Sequence, residues 1–338
     1  MRIDRAATAR LAALTLLIGV GVAFGAEPKE WLERMNHALT TRNYIGVFTH
    51  NHGGRVETLR IIHRVRGRDV SERLLSLDGP GREFIREGNE LTCYFPDRRM
   101  VLVERRAPDG LLPGVPTVDD GDSLVYEIRG GERERLLGRT TRVVALSPRD
   151  QYRYGYRLWI DEETSMPLKT QLCDQSGQVI EQIVFSNIDL PERIPDSMFK
   201  PQIDASTYRW LRAEPQVANN TAPALWEAMG LPPGFRMANR SAQAMPGSSE
   251  PVAHLVFTDG IASVSVFVET RKADSALIGP ARVGSSSAYS TVVDGHQVTA
   301  VGEVPPSTVE FIAKQVKASK TSAATEGLGL APASSHRK

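Results

Sequence analysis

The chain has 338 residues, 24% of them charged, and a formal net charge of +1. That balance carries no sign of a nucleic-acid binder, whose footprint is a strongly basic face. Two cysteines are too few for a disulfide-rich scaffold, and the length is enough for two domains.

Residues 1–25 read as a secretory leader. Arg2, Arg5 and Arg10 form a positive start, Leu11–Phe24 is an uncharged run of 14 residues, and Ala23-Phe24-Gly25 is a small-x-small cleavage site. Cleavage is expected near Gly25/Ala26, which exports the chain and leaves it at a net charge of −1 after three Arg and one Asp are lost. The run is shorter than a membrane span usually needs, an uncleaved membrane anchor being the alternative.

A helix is predicted after Pro28, with Trp31, Met35, Ala38 and Leu39 at helical spacing. Asn43–Asn51 and Val56–Arg66 alternate as a hairpin around Gly53-Gly54. Leu74–Asp97 is a meander turned by Asp78-Gly79-Pro80-Gly81 and Gly88-Asn89. Leu91, Cys93 and Phe95 share one of its faces. Met100–Arg105 is a further strand, and Arg106–Asp122 is a long Pro/Gly/Asp-rich loop. Strand signals resume at Glu132–Leu146 and Gln151–Ile160. In the second of these, Tyr152, Tyr154, Tyr156, Leu158 and Ile160 alternate against Arg153, Arg157 and Trp159. Leu168–Cys173 and Gln178–Asn187 form a last hairpin.

Residues 205–224 lack a period and are predicted as a linker. A second domain over 225–318 starts at Leu225–Met229 and Leu231–Phe235. His254–Phe257 pairs with Ala262–Glu269 through Asp259-Gly260, and Ala288–Val293 with His296–Val301 through Asp294-Gly295. Lys272–Gly284 is read as a short helix or loop. A closing helix carries Val309, Ile312, Ala313 and Val316, with Ser307 as N-cap and Glu310 completing a capping box. Residues 319–338 are small, polar and unpatterned, the composition of a disordered tail. Antiparallel strands with few helices indicate a mainly β, α+β protein, its first domain a large curved sheet or incomplete barrel.

Catalytic constellations are weak. Gly121-Asp122-Ser123-Leu124 matches the block that names a lipase and esterase family. That serine would need a base and an orienting acid, and the Asp294-Gly295-His296 triplet has the wrong spacing and lies in a tight turn. His50 and His52 are half of a zinc site without the other half. Phosphate-binding glycine loops are missing, so no cofactor, metal or catalytic residue is assigned and the chain reads as a binding protein, not an enzyme. Seven Arg stand against Glu134 and Asp150 between Arg133 and Arg157. Arg153 and Arg157 are therefore anion-binding candidates, solvated strand faces being the plainer alternative. Cys93 and Cys173 either bridge, as export permits, or remain two thiols.

The meander block, LLSLDGPGREFIREGNELTCYFPD over Leu74–Asp97, resembles a signature of the RseB/MucB family. Asn43-Tyr44, Val56–Arg60, Arg153–Asp161, Pro167-Leu168 and Glu181-Gln182 resemble further blocks of its first domain. Leu231–Phe235, Asp259-Gly260 and Val301–Pro306 resemble blocks of its second. The resemblance implies a first domain over 27–204 similar to the lipoprotein carriers LolA and LolB, an unclosed β-barrel with an apolar cavity, and a small sheet-and-helix domain. It implies a periplasmic negative regulator of the sigma-E envelope-stress response. Such a regulator binds the periplasmic part of the anti-sigma factor RseA (MucA-type) and shields it from the protease DegS. Lipopolysaccharide or lipoprotein acyl chains are the implied releasing effector. A lipid carrier without a signalling partner is the alternative, and a homo-oligomer is compatible with either. Phe48, Leu91, Phe95, Tyr152, Tyr154, Tyr156 and Leu158 are the expected cavity lining, with packing into a closed core as the competing role.

Overall fold

In the computed structural model the described residues are 27–105, 110–113, 115–116, 125–212, 226–243, 251–270 and 278–319. The leader, the Ser123 block, most of the loop before it, residues 213–224 of the predicted linker, and the tail beyond residue 319 lie outside them.

Helix α1 (Pro28–Thr41) begins at a proline that suits its first turn, and it buries Trp31, Leu32, Met35 and Ala38. It lies against the helix-side face of a twelve-stranded sheet. In chain order the strands are β1 (Tyr44–His52), β2 (Arg55–Arg66), β3 (Asp69–Ser76), β4 (Glu83–Glu87), β5 (Glu90–Phe95), β6 (Met100–Arg105), β7 (Tyr126–Leu136), β8 (Arg139–Pro148), β9 (Gly155–Asp161), β10 (Pro167–Cys173), β11 (Val179–Asp189) and β12 (Arg209–Arg212). Their spatial order is β12-β6-β5-β4-β3-β2-β1-β11-β10-β9-β8-β7, so the sheet has two edges and does not close. All pairs are antiparallel except β12 with β6.

Register fixes which face is which, because residues directly opposite in a ladder share a face. Phe48 lies opposite Phe185 and Leu59, and Leu158 opposite Thr170, which faces Ile183. These side chains fill the space beneath α1. One cluster joins Trp31, Leu32 and Met35 to Val144, Leu146, Leu158 and Ile160; the next joins Ala38 to Tyr44, Phe48, Ile61, Leu168 and Phe185. The opposite face is covered over β2–β6 by residues 194–208, whose Ile194, Phe199 and Ala205 pack on Ile62, Ile85, Tyr94 and Val101. A buried Arg73–Glu83 ion pair lies beneath that cover, and Arg73 also donates to the Met198 carbonyl at 2.8 Å.

Four segments differ from their sequence reading. Glu132–Leu146 is two strands, broken at Leu137-Gly138, where both residues take left-handed φ values of 52° and 74°. Gln151–Tyr154 is not strand: the Asp150 carboxylate accepts from the Tyr152 amide at 2.9 Å and bends the chain. Residues 209–212, predicted as linker, form β12. Gly279–Val283, read as helix or loop, is strand.

The second domain contains β13 (Trp226–Ala228), β14 (Arg236–Gln243), β15 (Val252–Thr258), β16 (Ser263–Thr270), β17 (Gly279–Val283), β18 (Ser286–Val293), β19 (His296–Gly302), α2 (Pro306–Gln315) and β20 (Val316–Ala318). Six strands form a sheet ordered β14-β15-β16-β19-β18-β17, and β13 pairs with β20. The stripe Val309, Ile312 and Ala313 packs on Leu255, Phe257, Val264, Val298 and Ala300. The helix starts one residue before Ser307 and has no side-chain cap. Glu310 pairs instead with Lys314 at 2.6 Å.

Candidate functional site

Two places bring polar chemistry into the interior: a cavity beside α1 and the junction between the domains. The cavity measures about 230 Å³, below the roughly 300–1,000 Å³ usual for small-molecule pockets. Leu39 of α1 and Leu112 and Val115 of the loop after β6 form its apolar wall; Tyr44, His63, Glu72 and Arg86 form its base. The base is a connected set. The Glu72 carboxylate meets Arg86 Nε at 2.9 Å and accepts from the Leu111 amide at 3.0 Å. His63 stacks on Tyr44 at 4.6 Å, and its Nδ1 donates to the Arg42 carbonyl at 3.0 Å. Burial lowers His63 to about 4, so it is neutral and leaves Nε2 toward Glu72. Burial pushes the Glu72 carboxyl up, while Arg86 and the Leu111 amide pull it back.

The expected lining residues are distributed differently. Phe48 and Leu158 are fully buried in the packed clusters, and Tyr156 packs beside Leu158. Leu91 and Phe95 share the helix-side face by register; Leu91 is buried opposite Arg86, and Phe95 meets the Phe84 ring edge-on at 6.0 Å. The bend at Asp150 takes Tyr152 off the sheet, onto the Phe311 ring of the second domain at 5.7 Å. Tyr154 is buried just before β9 begins. Side chains thus fill much of the face assigned to a cavity; the open part takes its base from other residues of that face and its wall from α1 and the loop after β6.

Arg153 is corrected most sharply. It is fully buried and meets internal anions. Its guanidinium contacts Asp150 at 3.0 Å and Asp259 of the second domain at 2.8 Å, and donates to the Pro233 carbonyl at 2.5 Å. It also lies over the Phe235 ring, 5.2 Å from the centroid. Arg157 is exposed and lines an open groove with Arg149, Cys173 and Asp174. Cys93 and Cys173 are not joined in a disulfide. They lie on β5 and β10, which have five strands between them in the sheet, so no bridge forms. His50 and His52 stack at 4.6 Å, but no set of His, Cys, Asp or Glu among the described residues has metal-holding geometry.

The junction was not anticipated as a site. Besides Arg153, Thr308 Oγ1 donates to the Tyr152 carbonyl at 2.8 Å, and Ile261 packs against the α1 cluster. Gly234, at φ +80°, lies where a Cβ would be 2.6 Å from Val125 Cγ1. Also at the junction, a cleft of about 590 Å³ is lined by His50, His52, Arg55 and Glu181 of the first domain and Ser285 and Glu303 of the second. The only sequence signal for this convergence was indirect: Arg153, Glu181, Leu231–Phe235, Asp259-Gly260 and Val301–Pro306 are blocks on which the family resemblance rests.

Residues 27–203 match the MucB/RseB N-terminal domain, and residues 220–317 match the MucB/RseB C-terminal domain. The chain belongs to the MucB/RseB family. It is 31% identical over 318 residues to the sigma factor AlgU regulatory protein MucB of Pseudomonas aeruginosa, covering 92% of this chain and 97% of that one. To the sigma-E factor regulatory protein RseB of Escherichia coli K12 it is 29% identical over 292 residues, 85% and 89% of the two chains. Among solved structures, the Pseudomonas aeruginosa MucA/MucB complex is similar at TM-score 0.68 and 28% identity, over 87% of this chain and 99% of that one. MucB in complex with MucA(peri) gives TM-score 0.67 at the same identity and coverage. The likeness to MucB/RseB proteins therefore runs through both domains.

Proposed function

We propose that this chain is a periplasmic negative regulator of a sigma-E-type factor. It binds the periplasmic segment of an RseA/MucA-type anti-sigma factor and shields it from a DegS-type protease. The observation that carries this reading is the two-domain match to MucB/RseB proteins together with the likeness to MucB solved bound to MucA. Export by the N-terminal leader, cleaved near Gly25/Ala26, places the chain in the compartment where that segment lies.

Lipopolysaccharide or a lipid releases the partner, and the cavity beside α1 is where an acyl segment enters. Its Leu39, Leu112 and Val115 wall takes methylenes at ~0.8 kcal/mol each, and its volume limits the buried part to a short stretch of chain. Release requires the lipid to prefer the free form; a ~100-fold preference corresponds to about 2.7 kcal/mol of coupling. The packed clusters beneath α1 weigh against a bulk lipid carrier. The test is calorimetry of the purified protein with the periplasmic segment of its cognate anti-sigma factor, repeated with lipopolysaccharide. Tight binding that lipopolysaccharide weakens supports the reading; no binding at low salt discards it. Cleavage of the same segment by a DegS-type protease, with and without the chain, tests shielding separately.

A further inference from the structure

The cleft lined by His50, His52 and Ser285 contains two carboxyl groups from different domains, Glu181 and Glu303. Glu181 projects from β11, and its Oε1 is 2.9 Å from His50 Nε2. Glu303 follows β19, and its carboxylate accepts from the Ser285 hydroxyl. Both carboxyls line this one cleft, and each is near enough to shift the other's titration. Gly53 of the β1–β2 turn and Gly284 before β18 bring the backbones together beside them, so closely that a Cβ on Gly53 would be 2.9 Å from Gly284 Cα. Two adjacent carboxylates cannot both ionise without strong repulsion, and a single proton between them turns the repulsion into a hydrogen bond.

We propose that Glu181 and Glu303 share one proton across the domain junction, forming a latch that holds the domains together when protonated and loosens when the proton is lost. Burial first, and then the Glu181 charge, push the Glu303 carboxyl up to about 7, against the Ser285 hydrogen bond. Burial alone would raise Glu181 too, but hydrogen bonds from His50, Glu303 and Ser285 outweigh it and hold Glu181 below the usual carboxylate range. The sign follows from linkage. The Glu303 contribution to closure is complete below its ordinary value of 4.5 and is lost progressively as pH rises through about 7. The Glu181 contribution is present above the ordinary range and is lost only as pH falls through its lowered value. Closure is therefore strongest near pH 5, weaker at neutrality and weakest above it.

Other groups face the pair. His50 and His52 come from β1, Arg55 from β2 and Ser285 from the turn before β18. The Tyr156 hydroxyl of β9 feels both carboxylates and Asp259, and with burial they keep it protonated. Arg153 supplies a separate contact between the domains, to Asp259 at 2.8 Å. The latch is a property of the free chain and does not depend on which partner binds.

The experiment is pulsed electron paramagnetic resonance on the purified protein, free of any partner. Spin labels go on Leu77→Cys and Ile278→Cys, which replace exposed residues in the two domains, in a Cys173→Ser background. Wild-type junction residues should give one distance at pH 5.5 and a second, broader population at pH 8.5. Glu303→Gln, which donates to Glu181 without titrating, should keep the single distance at both values, as should Glu181→Gln. His50→Gln should retain the pH response and so separate imidazole protonation from the carboxyl pair. Identical wild-type distributions at pH 5.5 and 8.5 overturn the latch, as does a pH response surviving in both Gln variants. If one Gln variant does not fold, the other decides. Partner binding is not read in this experiment, so its outcome and that of the regulator reading are independent.

Discussion

Arg153 and the Glu181–Glu303 pair join the same two domains with opposite chemistry. The arginine is a fixed cation meeting two carboxylates and a carbonyl, buried on all sides. The glutamates are like charges that require a proton, and they border an open cleft. A buried ion pair adds little net stability over an apolar substitute, but removing one partner is costly, because the remaining charge has no water to return to. The strength of a carboxyl pair bordering a cleft is set by whether it carries a shared proton, and so by pH. One contact fixes how the domains meet, and the other makes the strength of that meeting depend on conditions.

The largest break in this comparison should come from Arg153→Ala. Asp259, itself fully buried, loses its cation, and the expected loss is ~3–5 kcal/mol in denaturant unfolding. Arg153→Lys should recover only part of it, because an ammonium cannot reproduce a planar fork that reaches Asp150, Asp259 and Pro233 together. A loss below about 1 kcal/mol for the alanine variant would remove Arg153 as the fixed contact. Gly234→Ala should follow, at ~1–3 kcal/mol for forcing a side chain into filled space. Its left-handed φ adds to the strain, and the same unfolding curve reads it. Thr308→Val keeps the shape and removes the bond to the Tyr152 carbonyl, for ~0.5–1.5 kcal/mol. The smallest effect at acid pH is expected from Glu303→Gln, whose unfolding midpoint at pH 5 should match wild type. At pH 8 the variant should be the more stable of the two, because only wild type then carries the ionised pair. A variant less stable than wild type at pH 8 would show that the pair does not repel in the folded chain.

Hairpins were legible from local chemistry. Asp259-Gly260 and Asp294-Gly295 mark tight connections, and β15–β16 and β18–β19 form around them. The regulator family was legible from blocks spread over both domains. The interior charges were not, because a glutamate or arginine on an alternating strand reads as a solvated face whether or not a helix covers it. Glu72 and Arg86 belong to that class. The tyrosine run from 152 to 156 imitated a strand face, and only the Asp150 bend separates Tyr152 from Tyr156. Leu137 hid a turn because a branched apolar residue seldom takes the left-handed conformation. What alternation cannot encode is which distant segment closes over a given face, and both the cavity and the junction depend on that.

The short parallel strand β12 has a consequence for solubility. An unclosed sheet of twelve strands presents two rows of unpaired backbone groups, each a template for adding a strand from another molecule. At one side β7 carries alternating charges, Arg129, Glu132, Arg133, Glu134 and Arg135, which penalise a second copy in register. At the other side β6 is short and largely apolar, and β12 pairs with it from Met100 to Val103. The new edge is only four residues long and is flanked by Arg209 and Arg212. The segment that leads toward the second domain thus also keeps the first from stacking edge to edge with its neighbours.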